Sequence, residues 1–213
     1  MSNLFNHDYF ESGPSSGLSL YTNYRWLPHL TIPMAKSIYA SLHLTSNSRV
    51  LDFGCAKGYL VKALRYLDVQ AFGYDISEYA ISEADTDVVD FLYNDLSKLN
   101  KHPKFHWIIS KDVFEHISKP EIKSILKTMH SLTENIFLVV PLSRTTGMPY
   151  IVPEYELDVT HIIREPVEWW VNEVTESGYN ITSLSFSMSG VKDDWFAKHP
   201  TGNLFLQASS KVV

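Results

Sequence analysis

The chain has 213 residues, 45% of them hydrophobic and 20% charged, with 24 acidic against 18 basic residues and a formal charge of −6. This composition excludes a disordered tail, a coiled coil and a collagen-like rod, and the length suits one compact domain over 1–213. The lone cysteine, Cys55, excludes an intrachain disulfide and a thiolate-built zinc site.

No run of Lys and Arg is present to neutralise phosphates, which argues against a nucleic-acid partner. No apolar stretch reaches the roughly 20 residues that span a bilayer, so no membrane partner is expected. Residues 1–10 are polar and mildly acidic, unlike a signal peptide, and the expected location is the cytoplasm.

The first 20 residues are rich in Ser, Gly and Asn with aromatic residues between them. They read as a mobile or ligand-covering arm, counted here to residue 27. A helix is expected next, because Pro33 suits a first turn and Met34, Ile38 and Leu42 recur every four residues. Strand and helix then alternate. Residues 49–53 form a short apolar strand, 54–58 a tight turn, and Leu60, Leu64 and Leu67 share one helix face. Strands are expected over 69–74, 88–93, 105–110 and 136–140, with a short helix over 77–84. Ile122, Ile125, Leu126 and Met129 mark an amphipathic helix. A helix over 166–177 buries Val167, Trp170, Val171 and Val174 and stops at Gly178. Trp169 and Trp170 read as core. Two last strands, 181–188 and 203–209, are expected to pair antiparallel through a loop without a helix. The pattern predicts a doubly wound α/β fold: a mostly parallel seven-stranded sheet, helices on both faces and an antiparallel last strand. Residues 142–165 break the rhythm with a long Pro-containing loop, read as a substrate lid.

Ligands of open α/β sheets sit outside the carboxyl ends of the strands. Three strands here end in suitable residues. The first runs into Asp52-Phe53-Gly54-Cys55-Ala56-Lys57-Gly58, where Gly54 permits close backbone approach and Gly58 lets the next helix start near the strand. The second ends at Asp75, 21 residues after Gly54, where a carboxylate suits two ribose hydroxyls. The third ends in Asn94-Asp95-Leu96, suited to a purine amino group. Cys55 is expected to fill space as a small hydrophobe, and Lys57 to point to solvent.

Residues 50–58 resemble the glycine motif of class I S-adenosylmethionine-dependent methyltransferases, with Ala56 where that motif has a third glycine. The resemblance runs from about residue 49 to the C-terminus. It implies S-adenosylmethionine as cofactor, held by Asp52, Gly54, Cys55, Gly58, Asp75, Ile76, Asn94, Asp95, Leu96 and Asp112. A nicotinamide Rossmann domain fits less well: the G-x-G-x-x-G pattern is incomplete, and Asp52 would oppose a pyrophosphate but suits a methionine ammonium. Aromatic residues Tyr9, Phe10, Tyr21 and Tyr24, with Arg25, are candidates to fold over the cofactor.

Methyl transfer is an in-line displacement, and a base is needed only if the acceptor loses a proton. Glu115, His116, Asp158 and His161 are the candidates, with His161 expected as a base oriented by Asp158. Asp112, Glu115, His116 and His161 also resemble the Glu-x-x-Glu-His plus distant His set of small-RNA terminal 2′-O-methyltransferases and some quinone-pathway O-methyltransferases. That likeness implies a divalent metal on the acceptor oxygen; here the first position is Asp, and Glu-His pairs also occur in metal-free relatives. The expected acceptor is an oxygen or nitrogen of a small metabolite or saccharide, on a monomer or homodimer. An RNA methyltransferase and a catalytically silent cofactor-binding subunit are the alternatives.

Overall fold

The alternating apolar runs become a seven-stranded sheet wrapped by helices in the computed structural model, which describes residues 4–210. In chain order the elements begin with α1 (His7–Glu11), α2 (Gly13–Ser16), α3 (Pro28–Ser41), β1 (Arg49–Phe53), α4 (Tyr59–Arg65), β2 (Gln70–Tyr74) and α5 (Glu78–Ser82). They continue with β3 (Leu92–Tyr93), α6 (Leu96–Leu99), β4 (Trp107–Lys111), α7 (Lys119–Leu132), β5 (Asn135–Pro141), α8 (Val167–Glu176), β6 (Tyr179–Ser185), α9 (Asp193–Lys198) and β7 (Asn203–Ser210). The strand order is β3-β2-β1-β4-β5-β7-β6, parallel from β3 to β5, with β7 antiparallel to both neighbours. The order reverses between β1 and β4, so the crevice for a ligand opens at their carboxyl ends.

Both sheet faces are buried, as a mostly parallel sheet requires. Leu51, Ile108 and Leu138 face one layer with Leu126 of α7 and Trp170 of α8. Val50, Ile109 and Phe137 face the other with Ile38 of α3 and Leu64 of α4. Neighbours in sequence thus go to opposite faces, the period-2 rule of a strand. Trp170 is fully buried, and half-buried Trp169 packs edge-on against it.

Four expectations change. The third strand is only Leu92–Tyr93, because Val89–Phe91 curl into a 3₁₀ turn and leave two residues in register with Gly73 and Tyr74. The last two strands are joined through α9, whose mostly exposed residues carry little apolar signal. The sixth strand covers Tyr179–Ser185 and not 181–188. The first long helix starts five residues early, with Pro28 in its first turn and Pro33 inside it. The 4–27 arm folds into α1 and α2 and packs Tyr9 and Phe10 against Ala80 of α5. The 142–165 segment buries Tyr150, Val152, Tyr155, Asp158, His161 and Ile163. Among the described residues, no helix is long and apolar enough to cross a membrane.

Candidate active site

The turn after β1 is dictated by space. Gly54 sits at φ +85°, and a Cβ there would lie 2.2 Å from Val113 Cγ2; Gly58, at φ +76°, would meet Leu92. With both positions open, the backbone of 54–58 lies over the ends of β2 and β4, and α4 starts at once. Asp75, at the end of β2, is tied to this turn: its Oδ2 accepts from Ala56 N at 2.7 Å and its Oδ1 from Ser77 N at 2.8 Å. Each oxygen keeps a further lone pair for a ligand.

Two cavities meet at Gly54. One, of about 220 Å³, is lined by Gly54, Ala56, Asp75, Ile76, Asp112, Val113 and His116, under Phe5, Tyr9, Phe10, Tyr21 and Tyr24 of the arm. The other, of about 360 Å³, is lined by Asp52, Gly54 and Cys55, with Arg25 and Thr31 opposite. Both share Lys111, Tyr21 and Tyr24, so they are the two ends of one groove roofed by the arm. Cys55 is buried where a Cβ on Gly73 would touch its sulfur, the space-filling role expected of it.

The remaining candidates fall outside these linings. Asn94 and Asp95 are exposed, and Asp95 caps α6 by accepting from Ser97 N at 2.8 Å. The Ser97 hydroxyl, and then this amide, hold its carboxyl below the usual range. Leu96 begins α6. Lys57, expected in solvent, is buried, with its Nζ 2.6 Å from Glu11 Oε1. The correction has a simple cause: the arm returns over the glycine turn and supplies a carboxylate.

Burial sets the charges along the groove. It pushes Asp52 up to about 7, with Lys111 opposing and Asp75 adding. It raises Asp75 as well, against the two backbone amides. Asp112 is held at φ +56° between two ammonium groups, Lys111 Nζ at 2.5 Å and Lys192 Nζ at 2.5 Å. Burial opposes ionisation there, but the two lysines win and hold the carboxyl well below the usual carboxylate range. Three residues later the balance inverts: burial, then the Asp112 charge, pushes Glu115 up to about 8.

Past Asp112, Glu115, His116 and His161 each bring one ligand atom, all within 4.8 Å of one another. His161 Nδ1 lies 2.8 Å from the Tyr155 carbonyl, which can only accept, so that nitrogen carries the proton and Nε2 is a lone pair. His161 Nε2 is 4.0 Å from Glu115 Oε1 and 3.8 Å from Asp158 Oδ2. The expected orienting partner of His161 is therefore corrected from Asp158 to the Tyr155 carbonyl. Asp158 instead accepts from Thr160 N at 2.9 Å and Thr160 Oγ1 at 2.5 Å. Thr160 Oγ1 has spent its proton on that carboxylate, so it accepts from His116 Nδ1 at 2.7 Å. His116 too offers its Nε2 lone pair. Burial, then the neighbouring His161, pulls His116 down to about 4, and burial lowers His161, so both rings are neutral. The buried Glu115 Oε2 has no hydrogen-bond partner among the described residues.

Sequence reading did not find Tyr9 as a partner of Asp158, Thr160 as the link to His116, or Lys192 beside Asp112. The Asp-x-Thr spacing of 158–160 is a local signal for the second. The others join residues 149 and 80 positions apart, which one sequence cannot pair.

A doubly wound sheet with a glycine turn, carboxylates at successive strand ends and a roofed groove defines a nucleoside-cofactor enzyme of the class I transferase type. The methyltransferase domain model matches residues 32–184, and the chain belongs to that family. It is a methyltransferase of the class I, S-adenosylmethionine-dependent kind. Similar folds include an S-adenosylmethionine-dependent methyltransferase of Archaeoglobus fulgidus, 14% identical, with a TM-score of 0.64, covering 84% of this chain and 94% of that one. A putative methyltransferase of Haloferax volcanii, solved with its methyltransferase activator, is 17% identical with a TM-score of 0.65 over 87% and 91% of the chains. Magnesium protoporphyrin IX methyltransferase of Synechocystis PCC 6803, with bound S-adenosylmethionine, is 16% identical with a TM-score of 0.63 over 99% and 97%. No curated protein matches the sequence significantly.

Proposed function

We propose that the groove binds S-adenosylmethionine and that the enzyme methylates an oxygen or nitrogen of a small metabolite or saccharide, in the cytoplasm. The observation that carries this reading is the groove itself, with Asp52 and Asp75 at its two ends and a His116 lone pair at its acceptor side. In this reading Asp52 takes the methionine ammonium, Arg25 its carboxylate, and Asp75 the ribose hydroxyls. Gly54 and Cys55 line the path between them. The aromatic faces of Tyr21 and Tyr24 lie over the junction, where a sulfonium gains from cation–π attraction. Asn94, Asp95 and Leu96 stand beyond the adenine end and reach the ligand only if the loop before α6 shifts.

S-adenosylmethionine, when bound, would supply the methyl carbon to the attacking acceptor and leave as the neutral thioether. His116 Nε2 takes the acceptor proton; His161 and the protonated Glu115 orient the acceptor beside it. A neutral imidazole with its other nitrogen fixed suits this role, because its lone pair is free at neutral pH. The arm excludes water from the groove.

A second reading is favoured by the cluster itself: Glu115 Oε1 lies 4.0 Å from His161 Nε2, ligand atoms of Glu115, His116 and His161 lie within 4.8 Å of one another, and the buried Glu115 Oε2 has no hydrogen-bond partner among the described residues. Two His nitrogens and a carboxylate suit a divalent ion, with Glu115, His116 and His161 as holders. Such an ion supplies Lewis-acid polarisation of the acceptor oxygen when bound. Calorimetry separates the readings: Mn²⁺ or Zn²⁺ heats abolished in His161→Ala support a metal site, and their absence in the wild type sinks it. For the function itself, S-adenosylhomocysteine should bind the purified protein, and a labelled methyl group should move to a component of a metabolite or sugar library. Heat from NADH with none from S-adenosylhomocysteine would overturn the proposal.

A further inference from the structure

Three charged side chains meet beside the groove with no part in the transfer described above. Asp112 stands between Lys111 Nζ and Lys192 Nζ, each 2.5 Å from one of its carboxylate oxygens. Two ammonium groups against one carboxylate leave one positive charge in excess. Lys192 is held by more than Asp112. Its Nζ also donates to the Tyr155 hydroxyl oxygen at 2.8 Å and to Asn203 Oδ1 at 2.9 Å. The Tyr155 hydroxyl places its own proton on Asn203 Oδ1, so its oxygen is free to accept. All three ammonium protons of Lys192 therefore have acceptors, and its side chain is 10% exposed.

This charge stands where the two ends of the groove meet. Lys111 lines both cavities, together with Gly54, Tyr21 and Tyr24, whereas Lys192 lines neither and stands behind Asp112. In the functional reading above, the donor's sulfur occupies this junction. Sulfur carries a full positive charge in S-adenosylmethionine and none in S-adenosylhomocysteine, while the ammonium, carboxylate, ribose and adenine groups are the same in both. A fixed cation at the junction thus acts on the difference between the two ligands and cancels from everything they share. Partly removed from water, it opposes the sulfonium more strongly than a solvated lysine could. That opposition is relieved once sulfur has lost its charge.

We propose that Lys192 is a positioning residue that, through Asp112, keeps an excess positive charge at Lys111 and so biases the groove toward the neutral, spent cofactor over the charged donor. Without the Lys192 charge, Asp112 and Lys111 cancel, and the sulfonium faces no net charge from the cluster. This rests on the reading of the groove as the S-adenosylmethionine site, and it adds a determinant of donor selectivity that lies outside the groove lining.

The test is a ratio of affinities and needs no acceptor. Titration calorimetry on the full chain, in EDTA at neutral pH, gives the Kd of S-adenosylmethionine and of S-adenosylhomocysteine for each variant. Lys192→Met keeps most of the side chain and removes its charge. The ratio of the donor Kd to the by-product Kd should then fall by at least about threefold, ~0.7 kcal/mol. Lys192→Arg keeps the charge and should hold the wild-type ratio. Lys111→Met removes the other ammonium and should move the ratio the same way, which keeps the proposal open to test if Lys192→Met does not fold. A merely structural role weakens both ligands alike. An unchanged or increased ratio in either Met variant would therefore overturn the proposal, as would a ratio in Lys192→Arg that falls as far as in Lys192→Met. A wild type that binds neither ligand would instead sink the functional reading.

Discussion

Lys57 Nζ lies 2.6 Å from Glu11 Oε1, so the loop that carries the glycine motif is fastened to the arm that covers it. The pair is largely removed from water, with side-chain exposures of 8% and 19%. An ion pair in that setting contributes little net stability but is costly to break, because the remaining charge stays half-desolvated. Lys57→Met or Glu11→Gln alone should cost about 1–3 kcal/mol. The double variant should recover a good part of that loss, giving a favourable coupling energy in a double-mutant cycle measured by urea unfolding. Additive losses would mean that the two side chains do not act as a pair.

The role proposed for Asp52, as partner of the methionine ammonium, carries a pH dependence whose sign is fixed. Its carboxyl is pushed up to about 7, chiefly by burial, and an arriving ammonium group binds only the ionised form well. Affinity for S-adenosylhomocysteine should therefore rise about tenfold per pH unit below 7 and level off above it, with about half a proton released on binding at pH 7. In the ligand-free protein the same group acts on stability. The unfolded chain loses this proton near pH 4 and the folded one near 7, so this contribution to stability falls as pH rises across that window. Calorimetry in two buffers of different ionisation enthalpy measures the proton. Asp52→Asn should remove both the release and the slope, and a flat wild-type profile would dismiss Asp52 as the ammonium partner.

The parts of this molecule that were legible in its sequence are those specified locally. The strand of 49–53, its glycine turn and the buried stripes of α7 and α8 each declare themselves within a dozen residues, through apolar periodicity or a required positive φ. Residues 88–93 misled because β-branched and aromatic side chains favour strands, yet just Leu92 and Tyr93 find a β2 partner in the sheet. α9 was invisible because none of its residues is buried. In the candidate site, Asp52, Asp75, Glu115, His116 and His161 could be nominated from the sequence, but their hydrogen-bond and ion-pair partners could not. The backbone carbonyl that orients His161 leaves no mark in a sequence, and Glu11, Tyr9 and Lys192 reach the site from far along the chain.

The glycine turn can be tested without any ligand. At Gly54 an added methyl would stand 2.2 Å from Val113 Cγ2, on a backbone with φ +85°. Gly54→Ala should cost about 1 kcal/mol for the left-handed backbone and a further 1–3 kcal/mol for overpacking. Val113→Ala in the same chain removes the colliding methyls and should restore the second part while leaving the first. Thermal unfolding of the two single variants and the double separates the contributions. Equal losses in Gly54→Ala with and without Val113→Ala would show that the clash is absorbed elsewhere.

Asp75 and Asp95 make the sharpest comparison, because both end a strand at the same sheet edge and only one faces the groove. Asp75 is buried, lines the cavity and keeps free lone pairs beside its two backbone bonds. Hydrogen bonds from ligand hydroxyls to a charged acceptor are worth about 1.5–3 kcal/mol, so Asp75→Ala should weaken S-adenosylhomocysteine binding by about 10- to 100-fold. Its burial is compensated by the Ala56 and Ser77 amides, which lose their acceptor in the variant, so a stability loss of about 1–3 kcal/mol should accompany it. Asp75→Asn is the control that keeps an acceptor oxygen and the side-chain shape, and it should lose affinity with less effect on folding. Asp95→Ala removes an exposed cap of α6 and should lower the stability slightly. Its effect on affinity should stay within about threefold unless the loop before α6 turns inward on binding. Titration calorimetry of the three variants decides between a ribose carboxylate at the end of β2 alone and a pair of carboxylates gripping both ribose and base. A larger affinity loss in Asp95→Ala than in Asp75→Ala would move the nucleoside end of the groove from β2 toward β3.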